Sequence, residues 1–186
     1  MPDRRWTQLA TKTLIDRWWM RLREDRVQLP SGHVIEEFHV TDYPDWSAVI
    51  AITDSREVVL VEQYRYGVDR VSVEFPAGAV DPGETPLASA ERELLEETGY
   101  AAERWHLLGA LAAEPSRASN RGHFFVAEGA RKVAEPQAED TEDLRVLLRP
   151  AAAVLRMADD GAFVHGLHAA AAFWAARKGW LAEEEG

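Results

Sequence analysis

The chain contains no cysteine, which excludes disulfide staples and thiolate chemistry together. No stretch approaches the roughly 18 consecutive apolar residues of a membrane-spanning helix. Positive charge is scarce: 21 Lys and Arg stand against 32 Asp and Glu, a net charge of −11. That balance argues against a nucleic-acid partner, whose binding draws on clustered Lys and Arg. A small diphosphate stays compatible if metal ions and local arginines reverse the field at the site. The first residues, MPDRRWTQLATKTLIDRWW, are basic but lack the apolar segment of a secretory signal, so the cytoplasm is the expected compartment. The six histidines show no zinc spacing such as H-E-x-x-H, and none is assigned to a metal. Internal repeats are absent too. What remains is a 186-residue chain, 46% hydrophobic, the size of one compact domain with a full core.

What is present is an unusual acidic cluster. Residues 78–100 read GAVDPGETPLASAERELLEETGY. Thr85 suits an N-cap, Pro86 the first helical position and Gly99 the C-terminal stop, so one helix is expected between them. On it Glu93 lies over Glu96 and Glu97, with about 5–6 Å between Cβ atoms. Leu87, Ala90 and Leu94 fall on the opposite stripe and are expected to face the core. Three carboxylates side by side repel one another unless a cation sits among them. An all-oxygen donor set suits a hard divalent ion, Mg²⁺ in particular, which is held by a few carboxylates plus substrate phosphates.

Around this helix the sequence reads as alternating strands and turns. Apolar-rich runs at 14–22, 26–29 and 34–40, broken by Arg23-Glu24-Asp25 and Pro30-Ser31-Gly32, predict a small antiparallel sheet. Trp18 and Trp19 are expected to alternate on its first strand. Residues 46–53 and 58–63 read as a hairpin around Asp54-Ser55-Arg56, and 71–75 as a strand before the loop containing Pro76 and Gly78. Further strands are expected at 105–112, 123–126 and 146–148. Two helices follow Pro150, the clearer being the Ala-rich run 165–178.

The residues Gly78, Glu84, Arg92, Glu93, Leu94, Glu96, Glu97 and Gly99 fill the Nudix box, G-x5-E-x7-R-E-U-x-E-E-x-G-U with U aliphatic, and the chain resembles that family. Only Tyr100 departs, at the final aliphatic position, where a packing adjustment is expected. Average residue usage puts a coincidental match at about 10⁻⁷ over the chain, which sets aside an acidic solvated helix as the explanation. The resemblance implies an α+β fold: an α/β/α sandwich around a mixed sheet, with an N-terminal antiparallel β-sheet extension. Residues 1–44 would form the extension, serving dimerisation or the substrate base, and 45–186 the catalytic core.

Three short segments narrow the resemblance to the ADP-ribose pyrophosphatase and nucleotide-sugar diphosphatase subclass: the N-terminal strands, Gln63-Tyr64-Arg65, and the Glu74-Phe75-Pro76-Ala77-Gly78 entry into the box. The resemblance implies Mg²⁺-dependent hydrolysis of the diphosphate bond of ADP-ribose or a related nucleoside diphosphate sugar, with Mn²⁺ a possible substitute ion. Glu93 and Glu97 match the principal metal ligands and count as catalytic, Glu96 a supporting ligand, and Ala77 the position whose backbone carbonyl often completes the site. Arg92 and Glu84 match a structural pair. Glu142, in Glu142-Asp143-Leu144-Arg145-Val146, matches the subclass's base or an additional metal ligand, and Glu139 and Asp140 compete for that role. Arg65 and Glu74 are the expected substrate-binding residues, and Trp18 and Trp46 are aromatic candidates for the base, with core or dimer packing the blander role for both tryptophans. The expected partners are a small nucleotide sugar and a second subunit, in a homodimer through the N-terminal strands, with no nucleic acid and no membrane. Two other readings stay open: a Nudix hydrolase of another nucleoside diphosphate derivative, a triphosphate or capped RNA, and a nucleotide-sugar sensor that binds without cleaving.

Overall fold

The structure is a computed structural model and describes residues 4–137 and 143–182. Two compact units divide the chain, Met1–Pro44 with Ala112–Arg121, and Asp45–Leu111 with Gly122–Gly186. Among the described residues no helix is long and apolar enough to cross a membrane.

The first unit is built on an antiparallel sheet of β1 (Thr7–Arg17), β2 (Met20–Gln28) and β3 (Val34–Asp42), in that order. Two boundaries differ from the sequence reading. Trp18 and Trp19 do not alternate on a strand; they are the turn between β1 and β2. The charged run Arg23-Glu24-Asp25 does not break the chain but lies inside β2. Its charges are matched on the sheet: Arg23 pairs with Asp25 and, at 3.0 Å, with Asp42, and the next residue, Arg26, pairs with Glu36 at 2.6 Å. Opposite charges on neighbouring strands stabilise a pairing that isolated charges would oppose. β1 is an edge, and all eleven of its residues are exposed. Residues 112–121 return to this unit, where Thr41 N–H donates to the Arg117 carbonyl at 2.8 Å.

The second unit contains β4 (Trp46–Ile52), β5 (Glu57–Arg65), a 3₁₀ turn (Tyr66–Val68), β6 (Arg70–Glu74), β7 (Ala77–Ala79), α1 (Pro86–Thr98), β8 (Tyr100–Ala101), β9 (Arg104–Leu111), β10 (Gly122–Glu128), β11 (Arg131–Lys132), β12 (Leu144–Pro150), α2 (Ala151–Asp159) and α3 (Gly166–Arg177). Seven strands form one mixed sheet, ordered β12-β5-β4-β10-β9, with β6 added to β5 and β7 to β4. β4 and β10 run parallel; the other pairings in this sheet are antiparallel.

Strand alternation sorts the apolar residues into two cores. Ala48, Ile50, Ile52, Val58, Leu60, Phe124 and Val126 pack with Val154, Ala171, Ala172 and Ala175 from α2 and α3. Val49, Ala51, Val59, Phe125 and Ala127 pack with Ala90 and Leu94 from α1. A sheet covered on both faces needs strands apolar at successive positions, which is why β4, β5 and β10 read as continuous rather than alternating runs. Helices on either side of the mixed sheet give the α/β/α sandwich, and the antiparallel N-terminal sheet is the extension that the sequence led us to expect.

α1 begins and ends where its sequence dictates. The Thr85 hydroxyl accepts from Ala88 N–H at 3.2 Å, Pro86 opens the first turn, and Gly99 closes the helix in the left-handed region at φ 73°. A side chain at Gly99 would also strike the Ala134 carbonyl, 2.1 Å from an ideal Cβ. Ala90 and Leu94 are fully buried as expected, but Leu87, in the first turn, is 37% exposed. The face toward the sheet is completed instead by Glu93 and Glu97, both buried.

Candidate active site

The buried carboxylates of α1 meet the short β7 segment, which β4 holds by pairing Ser47 with Gly78 and Ala48 with Ala77. Glu97 Oε2 accepts from Ala77 N–H at 3.0 Å. Glu93 lies so close to Gly78 that a Cβ there would stand 1.9 Å from Glu93 Oε1. Glycine at position 78 is therefore a steric requirement of the Glu93 carboxylate.

Arg92 organises the rest of the cluster. Its Nε and Nη2 donate to the two oxygens of Glu84, both at 3.1 Å, in a bidentate pair. Nη1 donates to Glu93 Oε1 at 2.7 Å and to Glu96 Oε2 at 3.1 Å, and Nη2 also to the Ala79 carbonyl at 3.0 Å. The hydrogen bond to Glu84 is the largest influence raising the Arg92 pKa, and the reciprocal bond leads in lowering that of Glu84. Repulsion among the acids is thus relieved in part from within the chain, which the spacing of the glutamates alone did not reveal.

The residues fit a divalent cation. The donors are all carboxylate oxygens, and Glu93 and Glu97 are only 8% and 3% exposed, so their charge has little access to bulk water. Among the described residues, the carboxylate and imidazole donors that come within 4.8 Å of one another as a group of three are Glu24, Glu37 and His39 on the N-terminal sheet, outside the box. Glu142, Glu139 and Asp140 lie outside the described residues.

A second constellation stands at the end of β5. Arg65 Nε and Nη2 reach Glu74 Oε1 and Oε2 at 2.8 and 2.5 Å. Glu74 is 1% exposed; burial pushes its carboxyl up, but the hydrogen bond and charge of Arg65, with a further hydrogen bond from Ser72, leave it below the usual range. Arg65, 44% exposed at its side chain, borders two cavities. One, of about 570 Å³, is lined by Tyr64, Tyr66, Val68 and His165. The other, of about 400 Å³, runs from Arg65 and Trp46 to Ala77, Gly78 and Ala79. Arg65 and His165 are common to both, so the clamp and the box loop border adjoining space.

The expected aromatic residues fare differently. Trp46 borders the smaller cavity, but its ring also stacks on His168 at 5.5 Å and meets Phe124 edge-on at 5.3 Å. Trp18 is 91% exposed in the turn of the N-terminal unit. His168 escaped the sequence reading. Its signal was an imidazole one turn from His165 in an otherwise apolar helix.

The NUDIX domain profile matches residues 44–165, and that of the nucleoside diphosphate sugar hydrolase N-terminal domain matches residues 6–41. The chain is 30% identical over 169 residues to the ADP-ribose pyrophosphatase of Mycobacterium tuberculosis, covering 90% of this chain and 81% of that one. It is 35% identical over 117 residues to the ADP-ribose pyrophosphatase of Bacillus subtilis, covering 63% of each. It is 41% identical over 113 residues to the methanol dehydrogenase activator of Bacillus methanolicus, covering 61% of this chain and 60% of the relative. The matches thus span somewhat less than two thirds of the two Bacillus relatives. A crystal structure of ADP compounds hydrolase superposes with a TM-score of 0.81 over 93% of both chains at 22% identity, a likeness of fold.

Proposed function

This chain belongs to the Nudix family, and from that membership we propose that it hydrolyses the diphosphate bond of ADP-ribose or a related nucleoside diphosphate sugar. The observation that carries the reading is that the Glu74-braced Arg65 shares a cavity with Ala77, Gly78 and Ala79, the segment against which the buried carboxylates of Glu93 and Glu97 pack. The N-terminal domain match and the pyrophosphatase relatives favour a nucleotide sugar as substrate.

Glu93, Glu96 and Glu97 would hold Mg²⁺, with Mn²⁺ able to substitute, and the Ala77 carbonyl would complete the set. Bound there, such ions would polarise the phosphate oxygens and offset the charge that develops on them. Arg65 would grip a phosphate through its planar guanidinium. Glu74 fixes the plane of that guanidinium by occupying two of its donors. Glu142 would take the proton of the water that attacks one phosphorus as the bridging P–O bond breaks. For ADP-ribose the products would be AMP and ribose 5-phosphate. The base would find its aromatic contact at Trp46 or Trp18. We also assign the cytoplasm as its compartment and, in its N-terminal strands, a homodimer interface. The exposed edge strand β1, with Leu9, Leu14 and Ile15 uncovered, supports the latter.

Incubating the protein and Mg²⁺ with a panel of nucleoside diphosphate derivatives, triphosphates and capped RNA, and identifying products by mass, tests the activity. Cleavage of ADP-ribose or another nucleotide sugar to a nucleoside monophosphate and a sugar phosphate is expected. Preferred cleavage of a triphosphate, or tight binding without turnover, would refute it.

A further inference from the structure

We propose that His168 is a positioning residue for substrate binding: a neutral imidazole in one tautomer that holds the buried backbone after Glu74 and thereby sets the Arg65 clamp. The inference rests on the function proposed above.

Phe75 follows the last residue of β6 and is fully buried. Its N–H donates to His168 Nδ1 at 3.0 Å, a bond between positions 93 residues apart. An accepting Nδ1 carries no proton, so in the neutral ring the proton sits on Nε2. Neutrality follows from the surroundings, because burial pulls the His168 pKa down to about 3. Nε2 lies 4.0 Å from Glu74 Oε2, and Glu74 gives both carboxylate oxygens to Arg65.

The ring has little freedom to exchange its two nitrogens. Trp46 stacks on it at 5.5 Å with planes 8° apart, and Phe75 at 5.8 Å and 10°. His168 is 1% exposed and borders the cavity that reaches Gly78. Packing alone does not ask for an imidazole here, since the neighbours on α3 are Leu, Ala, Phe and Trp. A leucine would fill comparable space without desolvating a titratable group. What leucine cannot do is accept the Phe75 N–H, and an orphaned buried N–H drives the local backbone to relax. That backbone carries Glu74 directly before Phe75, so relaxation moves the brace of Arg65. The box carboxylates keep their own anchors, Arg92 for Glu93 and Ala77 N–H for Glu97, the latter on a segment that β4 holds through the Ala48–Ala77 pairing and the Val49 N–H to Pro76 carbonyl bond at 3.0 Å. Binding is therefore the step that suffers.

The test compares His168→Leu with His168→Asn, whose amide oxygen takes the place of Nδ1 and preserves the Phe75 bond. Steady-state kinetics on ADP-ribose with Mg²⁺ are expected to show KM raised about tenfold in H168L with kcat within about threefold, the scale of one orphaned N–H. H168N is expected to restore KM. An unchanged KM in H168L, a loss confined to kcat, or an asparagine no better than leucine would overturn the proposal. If H168L does not fold, His168→Gln replaces it, because its longer amide reaches the Nε2 position and leaves Phe75 N–H unsatisfied. Long-range ¹H–¹⁵N NMR of the wild-type protein reads the tautomer without any turnover. A proton on Nε2 is expected and a proton on Nδ1 would overturn the inference. A protein that cleaves no nucleotide sugar would refute the proposed function, whereas the spectrum tests the His168 tautomer whether or not turnover is seen.

Discussion

Replacing Gly78 by Ala tests the tightest contact in the site. An ideal Cβ at position 78 would lie 1.9 Å from Glu93 Oε1, 2.2 Å from Cδ and 2.6 Å from Oε2. Non-bonded carbon and oxygen need well over 3 Å, so the carboxylate must shift by more than about 1 Å. It has little room to do so, being 8% exposed and bonded to Arg92 at 2.7 Å. Overpacking of this kind costs about 1–3 kcal/mol, and for a chain of this size each kcal/mol lowers Tm by about 2–4 °C. Displacing a reactive group by about 1 Å also costs on the order of a hundredfold in turnover. Thermal melts and ADP-ribose kinetics on G78A read the two effects separately. The decisive comparison adds Glu93→Ala. With the carboxylate gone the new methyl meets nothing at these distances, so the Gly78→Ala penalty in stability should largely vanish in the double variant. Non-additivity between touching residues is what such a cycle isolates. Wild-type stability and turnover in G78A, or a penalty that persists unchanged beside E93A, would refute the reasoning.

Other perturbations follow from the same contacts. Acidification should destabilise the fold before the carboxylates titrate: His168 is held neutral with a pKa near 3, so the unfolded chain binds its proton first, and stability falls as pH drops below about 6.5. Between pH 7.5 and 5 this amounts to about 2 kcal/mol, read by urea unfolding, with His165 contributing in the same direction through its own lowered pKa and H168N losing the His168 share. Glu74 and Glu84, whose pKa values are also lowered, add to the loss only below about 4.5. Arg92→Ala strips the shared cation from Glu84, Glu93 and Glu96 and should cost about 1–3 kcal/mol, partly recovered on titration with Mg²⁺; a variant indifferent to the ion would contradict the metal assignment. Glu97→Gln keeps an oxygen for Ala77 N–H, so Tm should move by only a few degrees while turnover drops about a hundredfold; preserved activity would remove Glu97 from the ligand set.

Motifs with local causes were legible in the order of residues. The cap, first turn and stop of α1 depend on Thr85, Pro86 and Gly99, each acting within a few positions, and all three are found where expected. The hairpin of β4 and β5 and the helix after His165 were read for the same reason, periodicity and turn residues being near-neighbour signals. The charged stretch at 23–25 misled because Asp42, the partner of Arg23, belongs to another strand, and charge matching across strands leaves no mark in the run itself. Leu87 misled because the buried side chain of the first turn is Ser89, whose hydroxyl donates to the Ala79 carbonyl at 3.2 Å, a contact that the apolar periodicity does not register.

The order of residues was enough to establish that a Nudix box is present and which glutamates it offers, because box spacing is a property of neighbours along the chain; the mixed sheet between helices was implied by the resemblance that the box carries. It took the folded chain to reveal that Arg92 grips three of those acids, that Gly78 is bare so that Glu93 can lie against it, and that His168 reaches across the fold to Phe75. Hydrogen bonds and steric exclusion act over a few ångströms of space, whatever length of chain separates the atoms that meet.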